Sequence, residues 1–167
     1  MSSITNQPTQ TQELTVNEVR KAIEHRATWM YFLLQEARGH GLEWDGFARA
    51  AINKTGQFHG AQMSKEIGNE ASLSQFAQVF APGAGRQVFE MEIVEQNEAS
   101  FALDFHYCPL VAAWLKLGAS DEELRQLCDI AMEGDRAITA NFSTIDFTLG
   151  ETIAQGKPCC QIRFTRK

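Results

Sequence analysis

The sequence predicts an α+β fold: an antiparallel sheet of about four strands with helices packed on one face. Three observations predict it. Apolar residues recur at three- and four-residue steps through the first half of the chain. They switch to strict alternation around residues 87–107 and again after residue 143. The links between the alternating runs are short and carry polar residues or glycine.

Residues 1–13 read as a disordered polar tail, and residues 14–167 as a single domain. Leu14 to Arg38 is predicted as one amphipathic helix, because Val19, Ile23, Ala27, Met30, Leu34 and Ala37 share a face. Thr15 and Glu18 have capping-box spacing, and Gly39 and Gly41 end the run. A second helix is expected over Asp45 to Lys54, broken by GQFHG. A third should span Ala61 to Phe80, with APGAG forcing a turn. QVFEMEIVE and SFALDFHYC alternate and form a hairpin through EQNEA, with the glutamates on its wet face. CPLVAAWLKLG reads as a short helix. SDEELRQLCDIAMEGDRAIT reads as another, opened by a Ser120–Glu123 capping box. STIDFTL and CCQIRFT close the sheet, joined through GETIAQGKP.

A chain of 167 residues can bury a core without disulfides or metal. Its net charge of -6 and lack of a basic stripe argue against nucleic acid. No apolar run approaches the roughly 20 residues of a membrane helix. MSSITNQPTQTQ lacks the layout of a signal peptide, so a cytoplasmic setting with four reduced cysteines is expected.

Four positions could carry chemistry. Cys108 precedes Pro109 and should cap the following helix, where unpaired N–H groups lower a thiol pKa; otherwise it fills a strand–helix corner. Asp135 falls on the stripe of Leu124, Leu127, Cys128, Ala131 and Ile138. Burial there raises a carboxyl pKa towards acid–base work, unless Gly134 frays the helix and Asp135 meets solvent. Strand alternation puts Cys160 inward with Ile162 and Phe164, and Cys159 outward with Gln161 and Arg163. Cys160 by itself reads as a small buried hydrophobe, and neighbouring cysteines make a poor disulfide. His59, in the GQFHG loop, could reach a cleft. The chain has no paired C-x-x-C or H-x-x-x-H spacing for zinc, no phosphate-cradling glycine loop and no G-x-S-x-G elbow.

Four stretches, in order, resemble the L-2-amino-thiazoline-4-carboxylic acid hydrolase family: EHRATWMYFLLQEARGHG, GQFHG, HYCPLVAAWLKLGASDEELRQLCDIAMEGD and ETIAQGKPCCQIRF. The resemblance implies functional positions at His59, Cys108, Cys128, Asp135, Gly156 and Cys160. It also implies water-driven opening of a thiazoline ring, in cysteine metabolism. On that reading Cys108 thiolate attacks, Asp135 moves protons, His59 positions water or shuttles protons, and Cys160, Cys128 and Gly156 line the substrate pocket. A rival mechanism has Asp135 activate water while the cysteines stay passive. The chain departs from the family with Lys157 and Gln161, where acidic residues commonly flank the last cysteine. No cofactor or metal is expected; the expected partner is a small-molecule substrate. Two other classes compete: a sensor domain of the 4-vinyl reductase type, and a subunit whose long first helix mediates assembly with a partner, where Trp29, Tyr31 and Phe32 lie partly off the main stripe; a homo-oligomer is a separate expectation.

Overall fold

Four strands form one antiparallel sheet in the computed structural model, which describes residues 2–167. The strands are β1 (Met91–Gln96), β2 (Ser100–Phe105), β3 (Ile145–Leu149) and β4 (Cys160–Arg166), in the spatial order β1-β2-β4-β3. The hairpin β1–β2 and the closing strands follow the expected pattern. Phe105 lies opposite Cys160, Leu103 opposite Ile162 and Phe101 opposite Phe164. Those residues form the covered face. Phe164 is fully buried among Phe76, Phe80, Phe101 and Phe147, at ring-centroid distances of 4.7–5.8 Å. Burying each such ring stabilises the fold by about 1.5–3 kcal/mol, and edge-to-face contacts add to this. On the opposite face Arg163 pairs with Asp104 at 2.6 Å. β1 is the sheet edge and stays largely exposed, with only Met91 half-buried.

The helices depart from expectation in instructive ways. α1 (Leu14–Gly39) forms as predicted, but its N-cap is Glu13 and the Thr15–Glu18 capping box does not form. α2 runs from Trp44 to Ile67 straight through GQFHG. The reason is packing: a Cβ at Gly56 would overlap the Gly134 carbonyl and Ala137, and one at Gly60 would overlap Asn141 and Ile138. These glycines let α2 approach a later helix closely; they do not stop it. Phe80 ends a separate helix α3 (Leu73–Phe80), capped by Ser72 and Gln75. APGAG opens α4 (Gly83–Phe89), so β1 begins only after Glu90, whose φ of 50° reverses the chain. α5 (Pro109–Lys116) packs against α1, where the buried Trp114 donates its indole N–H to the Ala27 carbonyl at 3.1 Å. The Ser120–Glu123 capping box opens α6 (Asp121–Ala131), but the expected single helix breaks at Met132 and continues as α7 (Glu133–Thr139).

The expected disordered tail is instead a strap. Ile4 and Asn6 are buried, and the Asn6 side chain exchanges two 2.9 Å hydrogen bonds with the backbone of Cys108. Further along, Glu90 accepts from Thr9 and Gln10 at 2.7–2.8 Å and from Arg20 at 3.0 Å. Arg20 also bonds the carbonyls of Val88, Gln87 and Gln10 and lies 4.6 Å from the Tyr107 ring centroid. Burial works against the Glu90 charge, yet the hydrogen bonds from Gln10, Thr9 and Arg20 outweigh it and hold the carboxyl below its usual range. A polar tail therefore stays folded because it satisfies a buried ion pair. None of the described helices is long and apolar enough to cross a membrane.

Candidate functional site

Two helix ends and a strand start come near one another in the core. Cys108 is the N-cap of α5, Cys128 sits in the last turn of α6, and Cys160 starts β4. All three are buried, free and part of one apolar core cluster. Cys108 raises the thiols of Cys128 and Cys160, and Cys128 raises that of Cys160, which requires proximity. The 3₁₀ turn Ile153–Gln155 packs on α6 and donates the Ile153 N–H to the Cys160 sulphur at 3.3 Å. Gly156, with φ of 80°, ends that turn in the left-handed region, where a side chain would be strained; its part here is to fold the loop. Thr152 stands beside Cys128 and favours its thiolate.

Burial decides the charge of these sulphurs. Cys108 does occupy the helix start, and the N–H groups of Leu110 and Val111 favour its thiolate. Desolvation nevertheless outweighs them and pushes the thiol up, and the nearby Asp135 adds to the rise. The expected lowered pKa is thus reversed. Desolvation likewise pushes Cys128 up to about 12 and raises Cys160. Cys159 points to the other face, as expected, but it is only 8% exposed. Desolvation first, then the charge and hydrogen bond of Asp104, raise its thiol too, so it is no ordinary surface group.

Asp135 lies in the first turn of α7, half-buried. Among the described residues its carboxylate has no hydrogen-bond or ion-pair partner. The adjacent Arg136 turns to Asp129 at 2.6 Å and Glu133 at 2.7 Å, and Arg49 turns to Asp45 and Asp129, each at 2.7 Å. Desolvation pushes the Asp135 pKa up to about 7, while the charges of Arg136 and Arg26 pull weakly against it. An acid with this pKa exchanges protons near neutrality.

A cleft of about 420 Å³ touches the thiol cluster at Cys128 alone; Asp135, Cys108 and Cys160 are not on its wall. Cys128 and Thr152 form part of its wall with Arg49, Arg125, Gln126, Asp129, Leu149 and Gln155. Its size suits a small ligand. A larger groove of about 780 Å³, by α3 and the β1–β2 turn, is lined by no thiol and no histidine. His59 does not join the cluster: it is on α2 and not in a loop, exposed, with its ring against Phe58. Lys157 pairs with Glu151 at 2.8 Å, and the Gln161 side chain accepts the Glu151 N–H. Both departures from the family pattern thus close the loop before β4. Among the described residues no group of three or more His, Cys, Asp or Glu side chains is arranged to hold a metal. Sequence patterns had no means of finding Asn6, which acts through a neighbour distant in the chain, whereas Thr152 lies in the ETIAQGKPCCQIRF stretch and only its place beside Cys128 is set by the fold.

The fold and this cluster define a class: an α+β fold with three buried thiols and, among the described residues, an acid without an ion-pair partner. The chain belongs to the L-2-amino-thiazoline-4-carboxylic acid hydrolase family, whose model matches residues 20–164. The family is thus named for a hydrolase. The fold is also similar to a crystal structure of trafficking protein particle complex subunit 3 from Naegleria fowleri, covalently bound to palmitic acid. That match has 12% identity and a TM-score of 0.56, covering 88% of this chain and 96% of the other. At such identity the likeness concerns the fold alone. Comparison with curated proteins finds no match.

Proposed function

We propose that the chain hydrolyses a small cyclic amidine or thiazoline of the 2-amino-thiazoline-4-carboxylate kind, with Asp135 as the acid–base group. The observation that carries this is Asp135 itself: a half-buried carboxyl without a partner among the described residues, its pKa pushed up to about 7, near thiols whose own pKa burial raises. A partly desolvated carboxyl without an ion-pair partner costs stability, and such a cost is tolerated where the group has a task. The chemistry follows from the charge states. Asp135 takes a proton from water as the water oxygen bonds to the amidine carbon, and the amidine nitrogens receive the displaced electron pair. The carbon–sulphur bond then breaks, the new hydroxyl becomes a carbonyl as its proton passes to the ring nitrogen that received the electron pair, and the sulphur leaves with its own electron pair and takes a proton from Asp135. The product is an N-carbamoyl-cysteine-type thiol. Cys108, Cys128 and Cys160 serve as neutral walls, since a thiolate nucleophile at Cys108 is opposed by its desolvation. His59 takes no part.

The same protonated thiols fit a second reading, a small-molecule-binding domain of the 4-vinyl reductase type, in which ligand binds without turnover. One experiment separates the readings. The protein is incubated with 2-amino-thiazoline-4-carboxylate, released thiol is titrated, and the protein is weighed by mass spectrometry. Thiol release that survives in Cys108→Ser and collapses at least ~100-fold in Asp135→Asn supports the proposal. A covalent adduct on Cys108, or full activity in Asp135→Asn, overturns the mechanism. Ligand binding without released thiol supports the second reading.

A further inference from the structure

The outer face of α1 has no partner among the described residues, and its apolar side chains are not those of a solvated helix. Trp29 is 64% exposed, Leu33 66% and Phe32 53%. Trp29 and Leu33 belong to a seam of Ala22, Arg26, Trp29, Leu33, Glu36 and His40, all exposed and spaced alternately four and three residues apart. The seam lies opposite Val16, Arg20, Ala27 and Leu34, the residues α1 buries against the body. Such spacing is that of a helix face that packs along a second helix. The seam also has an internal symmetry. Reversed about Tyr31, it maps onto itself with unlike partners: Trp29 on Leu33, Arg26 on Glu36, and Ala22 on His40.

We propose that α1 is the interface of a two-fold homodimer, in which the helix crosses its copy antiparallel about Tyr31. Each Trp29 then covers the partner's Leu33, with Phe32 beside it, and two Arg26–Glu36 pairs flank this apolar centre. The charges favour a second copy in this one orientation. Arg26 forms no ion pair within 4 Å among the described residues, its charge reaching Asp135 and Cys108 only at longer range, and the described residue facing Glu36 is the exposed His40, whose ring lies 3.9 Å away. A parallel pairing would set Arg26 against Arg26 and Glu36 against Glu36, which is repulsive. The seam is short and its centre small, so association belongs in the micromolar range, below the area of large obligate interfaces.

Sedimentation velocity of the full chain over roughly 1–200 µM tests this. The wild type is expected to pass from monomer to dimer across that range. Leu33→Glu should stay monomeric while keeping the wild-type circular dichroism and thermal unfolding, because its site is exposed. Arg26→Glu and Glu36→Arg should each weaken the dimer roughly tenfold. The combined variant Arg26→Glu/Glu36→Arg should restore it, since the pairs are merely exchanged. A wild type that remains monomeric throughout, as it would if the face received a different protein, overturns the proposal. So does a double variant no better than the single ones.

Discussion

Replacing Asp135 with asparagine should make the protein more stable at high pH while removing its proposed chemistry. Asp135 has an ordinary pKa of 3.8 and is pushed up to about 7 by desolvation. Below the lower value it is protonated in both the folded and the unfolded chain, and the fold loses nothing. As pH rises, the unfolded chain releases the proton first, and each pH unit up to the folded pKa costs the native state about 1.4 kcal/mol. Above pH 7 the full cost is about 4 kcal/mol, reduced to about 2 kcal/mol if solvent screens half of it at this half-buried site. Asparagine keeps the shape without the charge. Urea unfolding should therefore give similar stabilities for both proteins near pH 4. At pH 8.5 the variant should be more stable by about 2 kcal/mol, equivalent to a rise in Tm of about 4–8 °C for a chain of this size. The carboxylates of Asp45, Asp129 and Glu90 are held below their usual range, so they destabilise both proteins alike at low pH and cancel in the difference. A variant equally destabilised at both pH values would refute the claim that an unpaired charge is buried there.

Two further outcomes follow from packing and from the strap. Gly56→Ala gains about 1 kcal/mol of helix propensity but overlaps the Gly134 carbonyl and Ala137, so thermal unfolding should show a net loss of about 1–3 kcal/mol. Arg20→Met leaves the Glu90 carboxylate buried without its cation. Chemical denaturation should report a loss of about 3–5 kcal/mol, and limited proteolysis should cut the freed strap first.

Several parts of this architecture were legible in residues close together in sequence. The alternation of Cys160, Ile162 and Phe164 against Gln161 and Arg163 placed each on its face, because strand geometry leaves no choice. The Ser120–Glu123 box located the start of α6, because its bonds are local. GQFHG was misread for the same reason. Glycine breaks a helix in isolation, but α7 was not visible in the local pattern, and its approach to Gly56 and Gly60 keeps α2 intact. The polar strap was misread likewise, since its partners Cys108, Arg20 and Glu90 lie elsewhere in the chain.

By itself, the sequence determined the fold class, the family and the placing of Cys108 ahead of a helix, since periodicity, motif order and a Cys-Pro step are properties of neighbouring residues. Only the tertiary structure decided that Cys108, Cys128 and Cys160 share one buried core cluster, that His59 sits exposed on α2, and that burial raises the Cys108 thiol. A helix start acts on one residue from a few backbone amides, whereas desolvation is the summed effect of every element packed around the sulphur. At Cys108 that sum is the larger quantity.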